Sequence, residues 1–423
     1  MAALKKRYYQ KIDEEVYSAI LDSGMSLSII KKKGFVEKAA FLSTNFGALD
    51  NHFYIDGELQ SYPAGIAHFL EHKLFEDEQG RDVTLDFVKL GADVNAFTTL
   101  EKTIYYFSTL DNFEESLELL LNFTSSFTSS EDAVNHEKRI IEQEINMYQD
   151  DPDSCLFFKT LANLYPATPL ASDIVGTEDS IEDISLEDLR DNFDEFYTPV
   201  NSQIFLVGNF DLELIQNYFL QKDVGGCIVQ NPKELIALHP VKKVESIRMD
   251  VASPKLAIGV RTNSDMGHQD CYRYSVLLRA LFTMMFGWTS KRFQSLYETG
   301  KLDSSLSLEI EINRRFNFLM LTMDTKEPVA ISHQFRKAIQ NFATDSDVSE
   351  EHLDLIKSEI YGEFIHSMNS LEFIATQYQS HSDETTLFDL PKIIQEMTLD
   401  DVLEVGHHFI DNSEIVEFTI FPL

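Results

Sequence analysis

Two stretches of this 423-residue sequence reappear in the same order about half a chain later. Residues 184–210 contain Ile-Ser-Leu-Glu-Asp-Leu, a phenylalanine, a turn and an apolar strand, and residues 397–422 repeat this series from Met-Thr-Leu-Asp-Asp-Val, 213 positions later. Residues 130–132 and 349–351, 219 positions apart, each open a helix of mixed polarity with Ser-Glu-Asp or Ser-Glu-Glu. One such helix start is common, but two ordered repeats predict a duplicated domain.

The irregular stretch around residues 221–245 separates the two halves, and it holds Gly225, Gly226, Pro232 and Pro240. We therefore expect residues 1–221 to form one domain, 222–245 a linker, and 246–423 a second, homologous domain.

Each half mixes strand and helix patterns. Runs of aliphatic, aromatic and β-branched residues predict strands over 38–44, 103–109, 203–207, 255–261, 304–312, 315–324 and 415–421. Apolar residues at helical spacing predict helices over 113–123, 136–147, 272–286 and 350–369. The predicted fold class is α+β, with a sheet packed against helices, built twice.

A short motif in the first half carries the clearest chemical signal. Residues 67–75 read Ala-His-Phe-Leu-Glu-His-Lys-Leu-Phe. On a helix, His68 and His72 share one face, and two neutral imidazoles at that spacing can bind one Zn²⁺. Glu71 lies beside the same face and could take a proton from water that the metal activates. The order inverts His-Glu-x-x-His, a form known in zinc peptidases, although two histidines on a helix are often only surface or core residues.

A catalytic zinc takes three protein ligands and keeps one position open, so a third ligand is expected. The predicted helix 136–147 places Glu137 and Glu144 seven positions apart and so on one face. Glu144 could complete the site, while Glu137 could orient a ligand or water from behind it. The alternative for this helix alone is a charged, solvated surface.

The charge and cysteine content narrow the setting. The formal net charge of −35 argues against nucleic acid, whose binding needs Lys and Arg to neutralise phosphates. It would favour cationic peptides by long-range steering, or it is simply a solvated acidic surface. Cys155, Cys227 and Cys271 are odd in number and far apart, so we expect reduced thiols in the cytoplasm. The sequence has no run of about 18 apolar residues, so we expect no membrane span. No apolar segment follows the N-terminal charges, so we expect no secretion signal.

The motif and the glutamate helix at the matching distance resemble those of the insulinase/pitrilysin family of zinc peptidases, most closely its short bacterial branch that is similar to mitochondrial processing peptidase. The resemblance implies two homologous α/β-roll domains, each an antiparallel-rich sheet packed against helices, in the metallohydrolase fold of LuxS and mitochondrial processing peptidase. It also implies zinc ligands at His68, His72 and Glu144, a general base at Glu71, and Glu137 near the metal.

Further stretches extend the resemblance over most of the chain. Residues 91–98 resemble the family's edge strand, in which an Asn-Ala pair contacts the substrate backbone. This implies that Asn95, Ala96 and Phe97 bind an extended peptide by adding it to the sheet edge through main-chain hydrogen bonds. Residues 173–177 and 197–201 are similar to the segment that closes the family's first domain.

The second half departs from the family pattern. Active single-chain and homodimeric members carry an Arg and a Tyr, seven positions apart, that reach over the zinc and hold the developing oxyanion. The corresponding positions here are Tyr297 and Ser304; Lys291, Arg292 or Tyr297 could compensate only after a shift. The predicted helix 272–286 contains neither His nor Glu, so we expect one zinc per chain.

These observations predict a zinc metalloendopeptidase subunit that cleaves peptides or unfolded segments. The missing pair suggests a heterodimer with a paralogous chain that supplies the Arg and the Tyr, although a homodimer stays open. The alternative is a non-catalytic, peptide-binding or interaction subunit of the same fold. A zinc hydrolase that is not a peptidase is weaker, because the edge strand suits a peptide.

Overall fold

The computed structural model describes residues 4–55, 57–76, 80–222, 233, 235–267, 269–379 and 385–423. The chain divides into two compact units. The first comprises Met1–Met147, Ser172–Lys233 and Ser370–Thr376, and the second comprises Tyr148–Ala171, Glu234–Asn369 and Gln377–Leu423. Residues 223–232 and 234 of the predicted linker lie outside the described residues.

The first half of the chain forms, in order, β1 (Lys5–Tyr9), β2 (Glu14–Ile20), β3 (Ser26–Lys31), β4 (Lys38–Thr44), β5 (His52–Ile55), β6 (Glu58–Ser61), α1 (Ile66–Leu74), α2 (Thr84–Leu90), β7 (Ala92–Thr98), β8 (Thr103–Thr109), α3 (Phe113–Phe123), α4 (Glu131–Asp150), α5 (Pro152–Leu164), α6 (Glu178–Glu182), α7 (Leu186–Phe196), β9 (Ser202–Gly208) and α8 (Leu212–Lys222).

The second half forms β10 (Val244–Met249), β11 (Lys255–Thr262), α9 (Cys271–Phe286), α10 (Lys291–Glu298), β12 (Ser307–Ile312), β13 (Asn317–Asp324), α11 (Pro328–Gln340), α12 (Glu350–Ser367), α13 (Leu371–Gln379), α14 (Leu390–Glu396), α15 (Leu399–Ile410) and β14 (Ser413–Pro422). No helix in the described ranges combines the length and the apolarity that crossing a membrane requires.

The sheet of the first unit has seven strands among the described residues, in the order β1-β2-β3-β9-β4-β8-β7. Strands β3 and β9 run parallel, and the other neighbours run antiparallel. The central strands β4 and β9 are buried along almost their whole length, because helices cover the sheet and leave them little solvent. Strand β7 ends the sheet, with β8 as its described partner.

The sheet of the second unit has the order β10-β14-β11-β13-β12 and repeats the five-strand part β3-β9-β4-β8-β7 of the first sheet. In both, the first of these pairs is parallel and the other pairs are antiparallel. The helices repeat too. The side chain of Ser185 caps α7 and that of Asp188 caps it in return, and Thr398 and Asp401 do the same at α15, 213 positions later. The shared topology confirms the predicted α+β fold of sheets packed against helices.

The compact units differ from the predicted division 1–221 and 246–423 in two segments. Helix α5 belongs to the second unit, because it packs on β11 and β14 there: a methyl group at Gly259 of β11 would lie 2.9 Å from side-chain atoms of Thr160 and Leu164. Tyr165 extends the contact, since its hydroxyl accepts the Asn317 amide at 3.0 Å. Residues 370–376 belong to the first unit, where the Tyr106 hydroxyl donates to Glu372 at 3.1 Å.

Two strands of the second unit start later than predicted, and local turns explain both. Strand β12 begins at Ser307 because the Asp303 carboxylate accepts the Ser305 amide at 2.8 Å and forms a turn. Strand β13 begins at Asn317 because the Asn313 side chain accepts two successive backbone amides, at 2.9 and 2.8 Å. Such side-chain acceptors compete with strand pairing.

Candidate metal centre

Helix α1 carries the inverted motif, and close backbone packing holds its start. Gly65 has φ 90°, and a methyl group there would lie 2.6 Å from the Val175 carbonyl oxygen; one at Gly176, with φ 84°, would lie 2.6 Å from the Ala64 carbonyl oxygen. The Ser180 hydroxyl donates to that Ala64 oxygen at 2.8 Å. Both positions need glycine, because the backbone is left-handed and a second backbone segment lies close by. The contacts between residues 64–65 and residues 175–180 therefore fix where α1 begins.

Helix α4 brings its glutamates to the two histidines of α1. Nε2 of His68 lies 3.7 Å from Oε1 of Glu144, and Nε2 of His72 lies 3.5 Å from Oε2 of the same carboxylate. The two imidazole centroids are 4.6 Å apart. The three side chains therefore offer ligand atoms that all lie within 4.8 Å of one another, the only such group among the described residues.

The chemistry of this donor set fits zinc. Two imidazoles and one carboxylate form the three-ligand set of catalytic zinc peptidase sites. His68 is buried, and burial followed by the nearby His72 lowers its pKa to about 3, so its imidazole stays neutral, as a metal ligand must be. The Nδ1 atom of His68 is buried without a hydrogen-bond partner in the described part of the chain. The predicted ligands thus come together, and their role as ligands stays a prediction.

Glu137 lies behind His72, where the sequence places a second glutamate near the metal. Nδ1–H of His72 donates to Glu137 Oε1 at 3.0 Å. Burial alone would lower the pKa of His72, but this hydrogen bond and the charges of Glu137, Glu71 and Glu144 outweigh it and raise the pKa above 6.5. Burial would raise the pKa of Glu137, yet the bond from His72 and the nearby cations lower it. Glu137 is therefore ionised and holds one orientation of the His72 ring.

Glu71 lies on the same helix and is 7% exposed. Burial raises the pKa of its carboxyl group above the usual value, although the Thr98 hydroxyl, which donates to Oε2 at 2.6 Å, opposes the rise. A carboxylate with a raised pKa accepts a proton more readily than an exposed one, which suits a general base.

The predicted peptide-binding residues lie on strand β7, at the edge of the first sheet. Asn95 is exposed, and Ala96 and Phe97 are half-buried. The Asn95 side chain accepts the Ala96 amide at 2.8 Å. In the described ranges no strand pairs with the outer edge of β7, and its last residue, Thr98, contacts Glu71. The edge strand therefore leads to the proposed base.

Sequence reasoning missed two residues at this centre. The sequence predicts Thr98 only as the end of an edge strand and predicts no role for Lys73, whose side chain has no exposed surface in the structure. Nζ of Lys73 pairs with Glu76 and lies 3.8 Å from Oε2 of Glu137. The available signal was a lysine directly after the motif on a short helix whose other residues are mostly apolar.

In the second unit, Tyr297 and Ser304 occupy the positions at which active family members carry an Arg and a Tyr. Tyr297 is 51% exposed and stacks on Phe293 at 5.8 Å, and Ser304 lies in an exposed turn. Arg292 is engaged within its own unit: its guanidinium donates to the Met285 carbonyl at 2.5 Å and pairs with Asp345. Compensation by Arg292 would require breaking this half-buried ion pair.

Comparison with known proteins identifies the family to which the chain belongs. Residues 59–178 match the model for insulinase, peptidase family M16, and residues 183–360 match the model for the peptidase M16 inactive domain. The chain is 33% identical to the uncharacterized zinc protease YmfH of Bacillus subtilis (strain 168), over 99% of both chains.

Solved structures agree in fold. A crystal structure described as an M16-like peptidase from Alicyclobacillus acidocaldarius is 25% identical, with a TM-score of 0.87 over 100% of this chain and 99% of that one. A protease from Helicobacter pylori, 18% identical, has a TM-score of 0.80 over 100% of both chains and shows the fold alone. This chain thus shares its overall fold with these proteins.

Proposed function

The chain belongs to the insulinase family, peptidase family M16, whose curated relatives include zinc proteases, and from this premise we propose that it is a zinc-dependent endopeptidase subunit acting on peptides or unfolded segments. The observation that carries the proposal is the convergence of His68, His72 and Glu144 within 4.8 Å, with the buried Glu71 on the same helix. A scaffold without chemistry has no need to keep these four groups together.

Each group has a role in this proposal. His68, His72 and Glu144 hold the metal, one per chain. Zinc, when bound, polarises the scissile carbonyl and makes water acidic enough to attack near neutral pH. Glu71 accepts the proton of the attacking water and passes it to the leaving amine. Glu137 acts through His72, by keeping its Nδ1 protonated and its Nε2 directed at the metal.

Strand β7 supplies the substrate position. An extended peptide can add to its free edge through main-chain hydrogen bonds, which depend little on side-chain identity. Asn95, Ala96 and Phe97 lie in this strand one to three residues before Thr98, whose hydroxyl contacts Glu71, so a peptide bound there would reach the base.

The first test separates metal binding from catalysis. The purified chain is expected to hold about one zinc, and Glu144→Gln is expected to lose most of it, whereas Glu142→Gln, a matched change on the same helix, keeps it. Glu71→Gln is expected to keep zinc while cleavage of an unstructured peptide falls by several orders of magnitude. A wild-type chain that holds no zinc, or a fully active Glu71→Gln with bound metal, would refute the proposal.

We further propose that the active form is a heterodimer with a paralogous chain that lacks the histidines and carries the Arg and the Tyr. The exposed Ser304 and the engaged Arg292 support this, because neither offers a free cation or phenol at the expected position. The chain is assayed on peptides alone and with a paralogue encoded next to it. Robust zinc-dependent turnover by the lone chain that Tyr297→Phe abolishes would contradict the heterodimer.

A second function is a non-catalytic, peptide-binding subunit. It is favoured by the match of residues 183–360 to a domain described as inactive and by the missing Arg and Tyr. Peptide binding without zinc, and without cleavage in the presence of any paralogue, would favour this reading. The cytoplasmic location stays a prediction, and it fits Cys155 and Cys271, neither of which forms a disulfide within the described part of the chain.

A further inference from the structure

Lys73 directly follows the second histidine of the motif, and its side chain has no exposed surface. A buried ammonium group is strongly destabilising unless carboxylates compensate its charge. The carboxylates that contact Lys73 therefore indicate what this buried cation does.

Two carboxylates compensate Lys73, and they differ in role. Glu76, three residues later, forms a close ion pair with Nζ, and its side chain is 28% exposed. Glu137 is 8% exposed, and its Oε2 lies 3.8 Å from Nζ. Glu76 thus neutralises the charge of Lys73 from the side of the surface, whereas Glu137 connects Lys73 to the candidate metal centre.

The two oxygens of Glu137 are divided between two neighbouring residues of α1. Oε1 accepts Nδ1–H of His72 at 3.0 Å, and Oε2 faces Nζ of Lys73. A carboxylate held at both oxygens cannot rotate without losing one of the two contacts. Its Oε1 therefore stays at the acceptor position that keeps the proton of His72 on Nδ1, and Nε2 then faces Glu144 at 3.5 Å.

We propose that Lys73 is a positioning residue for zinc binding, which acts through Glu137 to hold His72 in the metal-binding tautomer and orientation. The inference rests on the proposed function, because it takes His72 as a ligand. Groups that orient a ligand in this way typically change metal affinity 10–100-fold when removed.

Simple electrostatics predicts the opposite sign. Removing a cation beside Glu137 makes the site more negative, which would tighten the binding of a dication. The direction of the change in zinc affinity on removing Lys73 therefore distinguishes positioning from charge alone.

The experiment measures zinc affinity by competition with a chromophoric chelator in the full chain. Lys73→Met, similar in shape and apolar, is expected to weaken zinc binding 10–100-fold. Lys138→Met is the matched control: Lys138 is also buried and is next to Glu137 in sequence, but it donates to the Glu182 carbonyl and is expected to leave the affinity unchanged. Glu137→Gln is expected to weaken binding as Lys73→Met does.

The double variant isolates the route of the effect. On the Glu137→Gln background, Lys73→Met is expected to add almost nothing, since its contact is already gone. The ¹⁵N shifts of the His72 ring provide a readout that a purely structural role would not move: proton on Nδ1 in the wild type, and a mixture of tautomers in Lys73→Met. Should Lys73→Met not fold, Lys73→Gln keeps a polar side chain at this position and is expected to weaken binding in the same direction.

Zinc binding by a folded Lys73 variant that equals or exceeds the wild-type affinity overturns the proposal. So does a Lys73→Met loss that persists in full on the Glu137→Gln background. A wild-type chain that binds no zinc instead overturns the proposed function, so the two failures are distinguishable.

Discussion

The hydroxyl of Thr98 sets the ionisation of the proposed base, and removing it gives a quantitative prediction. The hydroxyl donates to Glu71 Oε2 at 2.6 Å and lowers a pKa that burial raises. Thr98→Val keeps the shape of the side chain and removes this donor, together with the longer contact of the hydroxyl with Thr103 Oγ1 at 3.3 Å. A hydrogen bond to a charged group is worth about 1.5–3 kcal/mol, and one pKa unit corresponds to about 1.4 kcal/mol, so the pKa of Glu71 is expected to rise by about 1–2 units.

The sign of the effect on activity follows from the role of Glu71. A general base works only when deprotonated, so activity is lost as the pH falls through its pKa. In Thr98→Val this acid limb is expected to move to higher pH by about 1–2 units. The rate at the alkaline plateau is expected to change little, because the carboxylate is fully ionised there.

The assay is the pH profile of kcat/KM on an unstructured fluorogenic peptide, with the paralogous partner present if activity needs it. Thr109→Val is the control: this hydroxyl lies at the other end of the same strand pair and donates to the Asp111 carbonyl at 2.5 Å, away from Glu71. An acid limb that stays in place or moves to lower pH in Thr98→Val would show that Thr98 does not tune the base.

Two further predictions concern the metal centre. The pKa of His72 is raised above 6.5, and a ligand must lose its proton to bind metal. Zinc affinity is therefore expected to fall as the pH drops through this pKa. Glu137→Gln removes a charge that raises the pKa, so it should shift the fall to lower pH, as measured by chelator competition across pH. Gly176→Ala is expected to destabilise the chain by about 1–3 kcal/mol and to lower zinc retention, because the added methyl meets the Ala64 backbone beside α1. Urea unfolding measures the stability, and metal analysis measures the bound zinc. Unchanged values of both would refute the packing argument.

The motif helix and the duplication of the fold can be predicted from the sequence alone. Helical spacing alone places His68, Glu71 and His72 on one short helix, because neighbours along a helix are fixed by its 3.6-residue period. The repeat with an offset of 213 predicts two related folds, and the structure repeats both the sheet topology and the reciprocal caps of α7 and α15. The caps are hydrogen bonds inside one helical turn, so a short window of residues contains that information, whereas the strand order was predicted only as far as the repeat implies it.

The tertiary structure alone decided the surroundings of the motif. Lys73 reads as an ordinary charged residue, and only the packing of α1 against α4 shows that it is buried beside Glu137. Thr98 reaches Glu71 from 27 residues away in sequence, and helix α5 packs on the sheet of the other half. These contacts join distant segments, and their burial sets the pKa values and orientations of the site. The sequence by itself determined which groups can bind zinc, whereas long-range packing determined which residues orient them.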